Sequence, residues 1–431
     1  MSCFDFSLRV SATRPWPLPL FSISSFYPIP WPQHVLPSYS TTPTVSHMAS
    51  STTTQMPLEL VLSFLDAACS GADHATYTDL LMACSLVCRA WSTSAQRLLF
   101  SQVTLRNQRS FELFMNAVDR STRHGIILGD VVKRLRVVLD HNQPSSLHHH
   151  SFALAVNACP NLSELQISLY GCAEPGQDIV GIPDVSRLRR TAPSFDDQTL
   201  FLLKSGPKIA HLHFDNWSEN QQSIFQLLDI WPSLQYLSIG GTSPQHLQDS
   251  PPPFSCSLRG LRLNFQTTPS VDFLKWLLHN STDSLQNLHF QRDPSFEGFE
   301  YLVDTHESTL QSISLPAFGS PDFAATITKC SHLRELRTEN PACPPGLYKH
   351  LPKQIEHLAF GIDRDTSLNA LVDVVKTSDT LKAVDVQVWE SGPSHPLLAP
   401  LRIACSYRGI ELNITKDLRV FRCMNATKVI V

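Results

Sequence analysis

One pattern, apolar-x-x-apolar-x-apolar, recurs along most of this 431-residue chain and leaves few folds open to it. It reads Leu162-x-x-Leu165-x-Ile167, Ile209-x-x-Leu212-x-Phe214, Leu234-x-x-Leu237-x-Ile239 and Leu258-x-x-Leu261-x-Leu263. It continues as Leu285-x-x-Leu288-x-Phe290, Leu310-x-x-Ile313-x-Leu315, Ile355-x-x-Leu358-x-Phe360 and Leu381-x-x-Val384-x-Val386. Leu333-x-x-Leu336-x-Thr338 is a copy whose last apolar position is lost. From Ile209 to Leu381 the starts fall 25, 24, 27, 25, 23, 22 and 26 residues apart. The last two apolar residues of each copy are two apart, so they share one face of a short strand. Several intervening stretches carry helical spacing: Phe225, Leu227, Leu228 and Ile230; Phe273, Leu274, Leu277 and Leu278; Leu368, Leu371, Val372 and Val375. One strand and one helix cannot bury their own apolar faces, so neighbouring units must stack. The expectation is an α/β solenoid with a parallel concave sheet and helices on the convex side.

The pattern and its step resemble those of leucine-rich repeats. The regular Asn that follows the third apolar residue in many such families is missing; Asn216, Gly241, Phe265 and Arg292 stand in that region. Val132-x-x-Leu135-x-Val137 reads as a looser copy and Val185-x-x-Leu188-x-Arg190 as a poor one. Tyr407-x-x-Ile410-x-Leu412 reads as the irregular turn that closes the stack, as terminal repeats do. Residues on either side of the second apolar position alternate away from the core. They form a polar row of mixed charge that includes Glu164, Glu335 and Asp385 and suits a protein surface. Within it, His211, His213, Tyr236, Arg262, His289, Arg337 and His357 are the candidates for holding a protein target; Tyr and Arg are the types that most often dominate binding energy.

Residues 56–100 differ from everything after them. Pro57 opens a helical stretch in which Leu58, Val61, Leu62 and Leu65 make an apolar stripe. A polar interruption from Ser70 to Thr78 is followed by Asp79–Trp91, apolar nearly all round, and then by Ala95, Leu98, Leu99 and Phe100. So small a helical unit buries too little surface to stand alone and calls for a partner. Pro57, Glu59, Leu60 and Leu65, then Leu80, Leu81 and Ser85-Leu86-Val87-Cys88-x-x-Trp91, resemble an F-box, and the Leu99-Phe100 ending with a Val103-Thr104-Leu105 strand is similar to F-box proteins of mushroom-forming fungi. The loop at Asp66–Thr78 is longer than that family's usual connection. The resemblance covers about a tenth of the chain. It implies a substrate receptor of an SCF-type cullin–RING ubiquitin ligase, whose F-box docks on the Skp adaptor while the repeats bind an unknown protein target. Pro57, Leu60, Leu65, Leu81, Val87, Cys88 and Trp91 match the family positions that form or support the adaptor-binding surface. A repeat scaffold with no ligase association is the alternative, and neither reading makes the chain an enzyme.

Three divisions are therefore expected: a Pro/Ser/Thr-rich disordered leader at 1–55, the F-box at 56–100 and the repeats at 101–431. A net charge of −4 gives no electrostatic case for nucleic acid or an anionic membrane. No stretch approaches the roughly 18 apolar residues of a spanning helix. The eleven cysteines are scattered, with no Cys-x-x-Cys pair, which fits a reducing cytoplasmic or nuclear setting. His148-His149-His150 reads as a solvated loop, because no acidic or Cys partner lies near it in sequence. His211 and His213 share a strand face without a third ligand, whereas zinc takes three or four. No cofactor or metal is implied, and the motifs of serine hydrolases and zinc peptidases are absent.

Overall fold

The computed structural model describes residues 58–69, 74–171, 192–218, 220–244, 254–318, 320–341, 345–390, 392 and 395–424. The expected leader at 1–55, Pro57 and the poor copy at Val185–Arg190 lie outside them.

Three helices come first: α1 (Leu58–Cys69), α2 (His74–Ser85) and α3 (Arg89–Ser101). The polar loop expected over Asp66–Thr78 is mostly helical instead, since α1 runs to Cys69 and α2 starts at His74. Val61, Leu65, Leu81, Cys84 and Ala95 form a small core of their own, with Tyr77, Leu80, Trp91, Leu98 and Leu99 packed on it.

The remaining described chain is a leucine-rich-repeat-like solenoid. Its strands are β1 (Gln102–Leu105), β2 (Arg134–Asp140), β3 (Glu164–Tyr170), β4 (His211–Trp217), β5 (Tyr236–Gly241) and β6 (Gly260–Phe265). They continue as β7 (Asn287–Phe290), β8 (Ser312–Leu315), β9 (Glu335–Thr338), β10 (His357–Ile362), β11 (Ala383–Val388) and β12 (Glu411–Thr415). All twelve form one sheet in sequence order, β1 to β12, with every pairing parallel. Between them run α4 (Gln108–Ala117), α5 (Arg123–Val131), α6 (His149–Asn157), α7 (Asp197–Lys204), α8 (Gln222–Leu228) and α9 (Val271–Leu277). The series ends with α10 (Phe296–His306), α11 (Pro321–Ile327), α12 (Pro345–Lys349), α13 (Asn369–Thr377), α14 (Leu398–Arg408) and α15 (Leu418–Cys423).

The register follows the repeat. Leu165, Leu212, Leu237, Leu261, Leu288, Ile313, Leu336, Leu358 and Val384 stand side by side across the sheet. They belong to one continuous core with the helices behind them. These helices are short, and short helices need their free N–H groups capped. Asp196, Ser270 and Ser295 accept from the third backbone N–H of α7, α9 and α10, and Asn107 and Ser110 form a reciprocal capping box on α4.

Two ends of the array differ from the sequence reading. The last copy is not Tyr407-x-x-Ile410-x-Leu412: Leu412 aligns with Val384 and Ile414 with Val386, so Gly409, at φ 67°, takes the place of the first leucine. Tyr407 is exposed on α14. At the other end Phe100-x-x-Val103-x-Leu105 is a full copy, since Val103 aligns with Leu135 and Leu105 with Val137. That copy begins inside α3, whose Leu99 packs on both the small core and the solenoid core. The first three helices are thus joined to the sheet through shared packing and with no intervening loop.

The three-histidine segment also folds differently from expectation. His148 and His150 are exposed, but His149 starts α6 buried, its ring 4.7 Å from that of Phe195. Its Nε2 lies 3.2 Å from that of His141. Burial, helped by the neighbouring His141, pushes its pKa down to about 4 from 6.5. The neutral ring is therefore what the fold holds. The resulting stability is present above pH 6.5 and is lost as pH falls toward 4, by about 3 kcal/mol in all. Denaturant midpoints measured across that pH range should fall on acidification, and His149→Phe should flatten the fall. An unchanged slope in the variant would remove His149 as its source.

Candidate functional site

Two surfaces carry the residues singled out from sequence. On the three-helix unit, Leu65 and Leu81 are buried in its core, and Trp91 is half-buried against it. Their part is to support the unit. Among the described residues of the unit, the exposed large apolar side chains are Leu60, 50% exposed, Phe64, 54%, Leu86, 77%, and Val87, 65%. Leu60 and Phe64 are one turn apart on α1 and share a face. Leu86 and Val87 lie in the turn between α2 and α3, beside the exposed Cys88. Phe64 is absent from the sequence candidates; its spacing from Leu60 was the available signal.

The second surface is the sheet face turned away from the helices. Pairing puts its outward residues in two ladders. One contains Glu164, His211, Tyr236, Gly260, Asn287, Ser312, Glu335 and His357; the other contains Gln166, His213, Ser238, Arg262, His289, Ser314 and Arg337. The seven target candidates therefore do share one face.

They do not share one environment. Over β4 the burial alternates strictly between half-buried and buried, as a sheet with one wet face should. Here the His211 ring lies 4.5 Å from that of Tyr236, His213 is 2.9 Å from Asp215, and Arg134 is paired with Glu164 at 2.8 Å. Tyr236 and Arg262 are half-buried. Over β9, β10 and β11, by contrast, every residue is buried on both faces.

The cover is α15. Arg337 donates through Nη1 to the Phe421 carbonyl and through Nη2, at 2.7 Å, to that of Met424, while its guanidinium lies 5.1 Å from the centre of the Phe421 ring. Arg422 grips Glu339 with two bonds of 2.6 Å. Beneath, His357 bridges Glu335 at 3.2 Å and Asp385 at 2.9 Å. Asn413 donates to the other Asp385 oxygen at 3.1 Å. Burial alone would lower the His357 pKa, but the bonds to Asp385 and Glu335 together outweigh it and hold it above the ordinary value. A charged His357 balances the set, which then holds three carboxylates and three cations. His289 is the opposite case. Its Nε2 is sealed without a partner, and burial, with Arg262, Arg337 and Arg422 nearby, takes its pKa down to about 3.

Arg337 and His357 are thus corrected as open contact residues: Phe421 and Met424 of the same chain already occupy Arg337, and His357 is buried between Glu335 and Asp385. Glu339, Phe421 and Arg422 were missed, since the contact joins positions 84 residues apart. The available hint was the small outward residues Ala359, Gly361 and Ala383, which leave room over β10 and β11. A Cβ at Gly361 would stand 2.0 Å from the Glu339 carbonyl oxygen. Among the described residues no group of three or more His, Cys, Asp or Glu is placed to hold a metal, and no helix is long and apolar enough to cross a membrane.

No protein-family model matches the chain, and no curated protein matches it. Among solved structures, the crystal structure of a Rad7 and Elc1 complex in yeast is similar over 82% of this chain and 91% of that chain, with 14% identity and a TM-score of 0.32.

Proposed function

We propose that the chain is the substrate receptor of an SCF-type ubiquitin ligase, with α1–α3 an F-box that docks on the Skp adaptor and the repeat face holding a protein target. The observation that carries the reading is the apolar surface of the three-helix unit. Four large apolar side chains, Leu60, Phe64, Leu86 and Val87, stand half or more exposed over a small core that among the described residues comprises Val61, Leu65, Leu81, Cys84 and Ala95. Large exposed apolar side chains in so small a unit mark a surface that a partner covers. The loopless passage from Ser101 into β1 adds a second support, because a rigid junction fixes the repeat face relative to the adaptor. On this reading the chain performs no chemistry. It raises the effective concentration of a target lysine near a ubiquitin-charged enzyme.

The test is recovery of Skp, cullin and RING subunits with the tagged full chain from cells. All three are expected with wild type and none with Val87→Glu. Equal recovery with both would remove α1–α3 as the docking surface.

A further inference from the structure

The cover over β9–β11 is thin. α15 has six residues, of which Phe421 is fully buried while Arg419 and Val420 are exposed. It follows β12, an edge strand with no fully buried residue. A six-residue helix with one fully buried side chain, following an edge strand, belongs to the less stable part of a fold and can open without global unfolding.

The surface beneath it is not that of a permanent core. Glu335, Arg337, Glu339, His357 and Asp385 are ionisable and nearly sealed. Burying charges costs several kcal/mol each before pairing returns it, and apolar residues would make a better fixed cap. With the helix lifted, Arg337 and Glu339 would lose the partners that seal them, and this part of the face would resemble the open half, where Glu164 and His213 are only half-buried. The lining suits a face that is alternately covered and exposed.

The contacts are also selective. Arg337 reads two carbonyls at the end of a helical turn and the face of an aromatic ring; Glu339 reads an arginine bidentately, a geometry that Lys does not reproduce. We propose that residues 417–424 are an intramolecular ligand that occludes this quarter of the face, and that the site takes a protein segment of the same chemistry: a helical turn ending in an aromatic residue followed by Arg. This rests on the repeat face being the target site. Because the strap is tethered directly after β12, its effective concentration is on the order of millimolar. A competing segment must therefore gain affinity from the open half of the face, around Tyr236 and Arg262.

Hydrogen exchange on the full chain, with a fluorescent synthetic peptide of residues 413–424 as probe, tests this. Amides of 418–424 are expected to exchange at least about 100-fold faster than those of β10. Phe421→Ala and Arg422→Ala should each speed them a further 10-fold or so, leaving β10 rates and the thermal midpoint of the chain unchanged. The peptide should bind either variant about 10-fold or more tighter than wild type, and Glu339→Gln introduced into those variants should abolish that gain. Exchange of 418–424 locked to that of β10, a lowered midpoint in both variants, or equal peptide binding by all chains would make the segment a fixed cap and overturn the proposal. No adaptor is present, so a failure of adaptor docking leaves this result intact, and a fixed cap leaves adaptor docking intact.

Discussion

Phe299→Ala lowers the stability of the solenoid by about 4 kcal/mol. Phe299 sits on α10 with no exposed surface, its ring stacked on Phe323 of α11 at 4.9 Å and 25°, and edge-on to Phe290 of β7 at 6.0 Å. Truncation removes the transfer energy of the ring and leaves a cavity between two repeats. It also removes aromatic pairs worth about 0.5–1.5 kcal/mol beyond their buried area. In a stacked array each unit is held by its neighbours, so the loss is felt at both flanking interfaces. Phe201, on the exposed side of α7, is the control: Phe201→Ala should change stability by less than about 0.5 kcal/mol. Denaturant unfolding of both variants checks the contrast, and a loss under 1 kcal/mol for Phe299→Ala would mean that the repeats are not packed as described.

If α1–α3 dock on the adaptor as proposed, Val87→Glu should weaken that binding by about 100-fold or more, and Leu60→Ala by about 10-fold. Both side chains are exposed and outside the small core, so neither change should shift the melting of the unit. A carboxylate forced into an apolar contact loses its water without gaining a partner, which is why Glu acts more strongly than Ala. Trp91→Ala is expected to behave differently. Its ring packs against the small core, so truncation should destabilise the three helices first and weaken docking as a consequence. Isothermal titration of the purified adaptor, with melting curves alongside, separates the two effects. A Val87→Glu chain that melts early would move Val87 into the supporting set.

Much of this architecture can be read directly from residue spacing. Leucines at a constant step define the strands, and the two-residue alternation defines which face each side chain takes, because both are local properties of the chain. The sheet's register and the outward placement of His211, Tyr236 and Arg337 follow from these alone. Three features do not. The first copy at Phe100 begins inside a helix whose apolar residues serve two cores, so periodicity reads it as helix only. The last copy hides because Gly409 replaces a leucine. The burial of Arg337 depends on a helix more than eighty residues further along the chain, and that of His357 on charged partners from two other repeats, which no local pattern reports. The buried His149 belongs to the same class: its partners Phe195 and His141 come from different repeats.

The most direct measurement is a calorimetric titration of the intact chain with purified Skp adaptor at several temperatures. The account predicts one adaptor per chain, an affinity of about micromolar or tighter, and a negative heat-capacity change from burying the apolar surface around Leu60, Phe64 and Val87. A folded chain that binds no adaptor would contradict it.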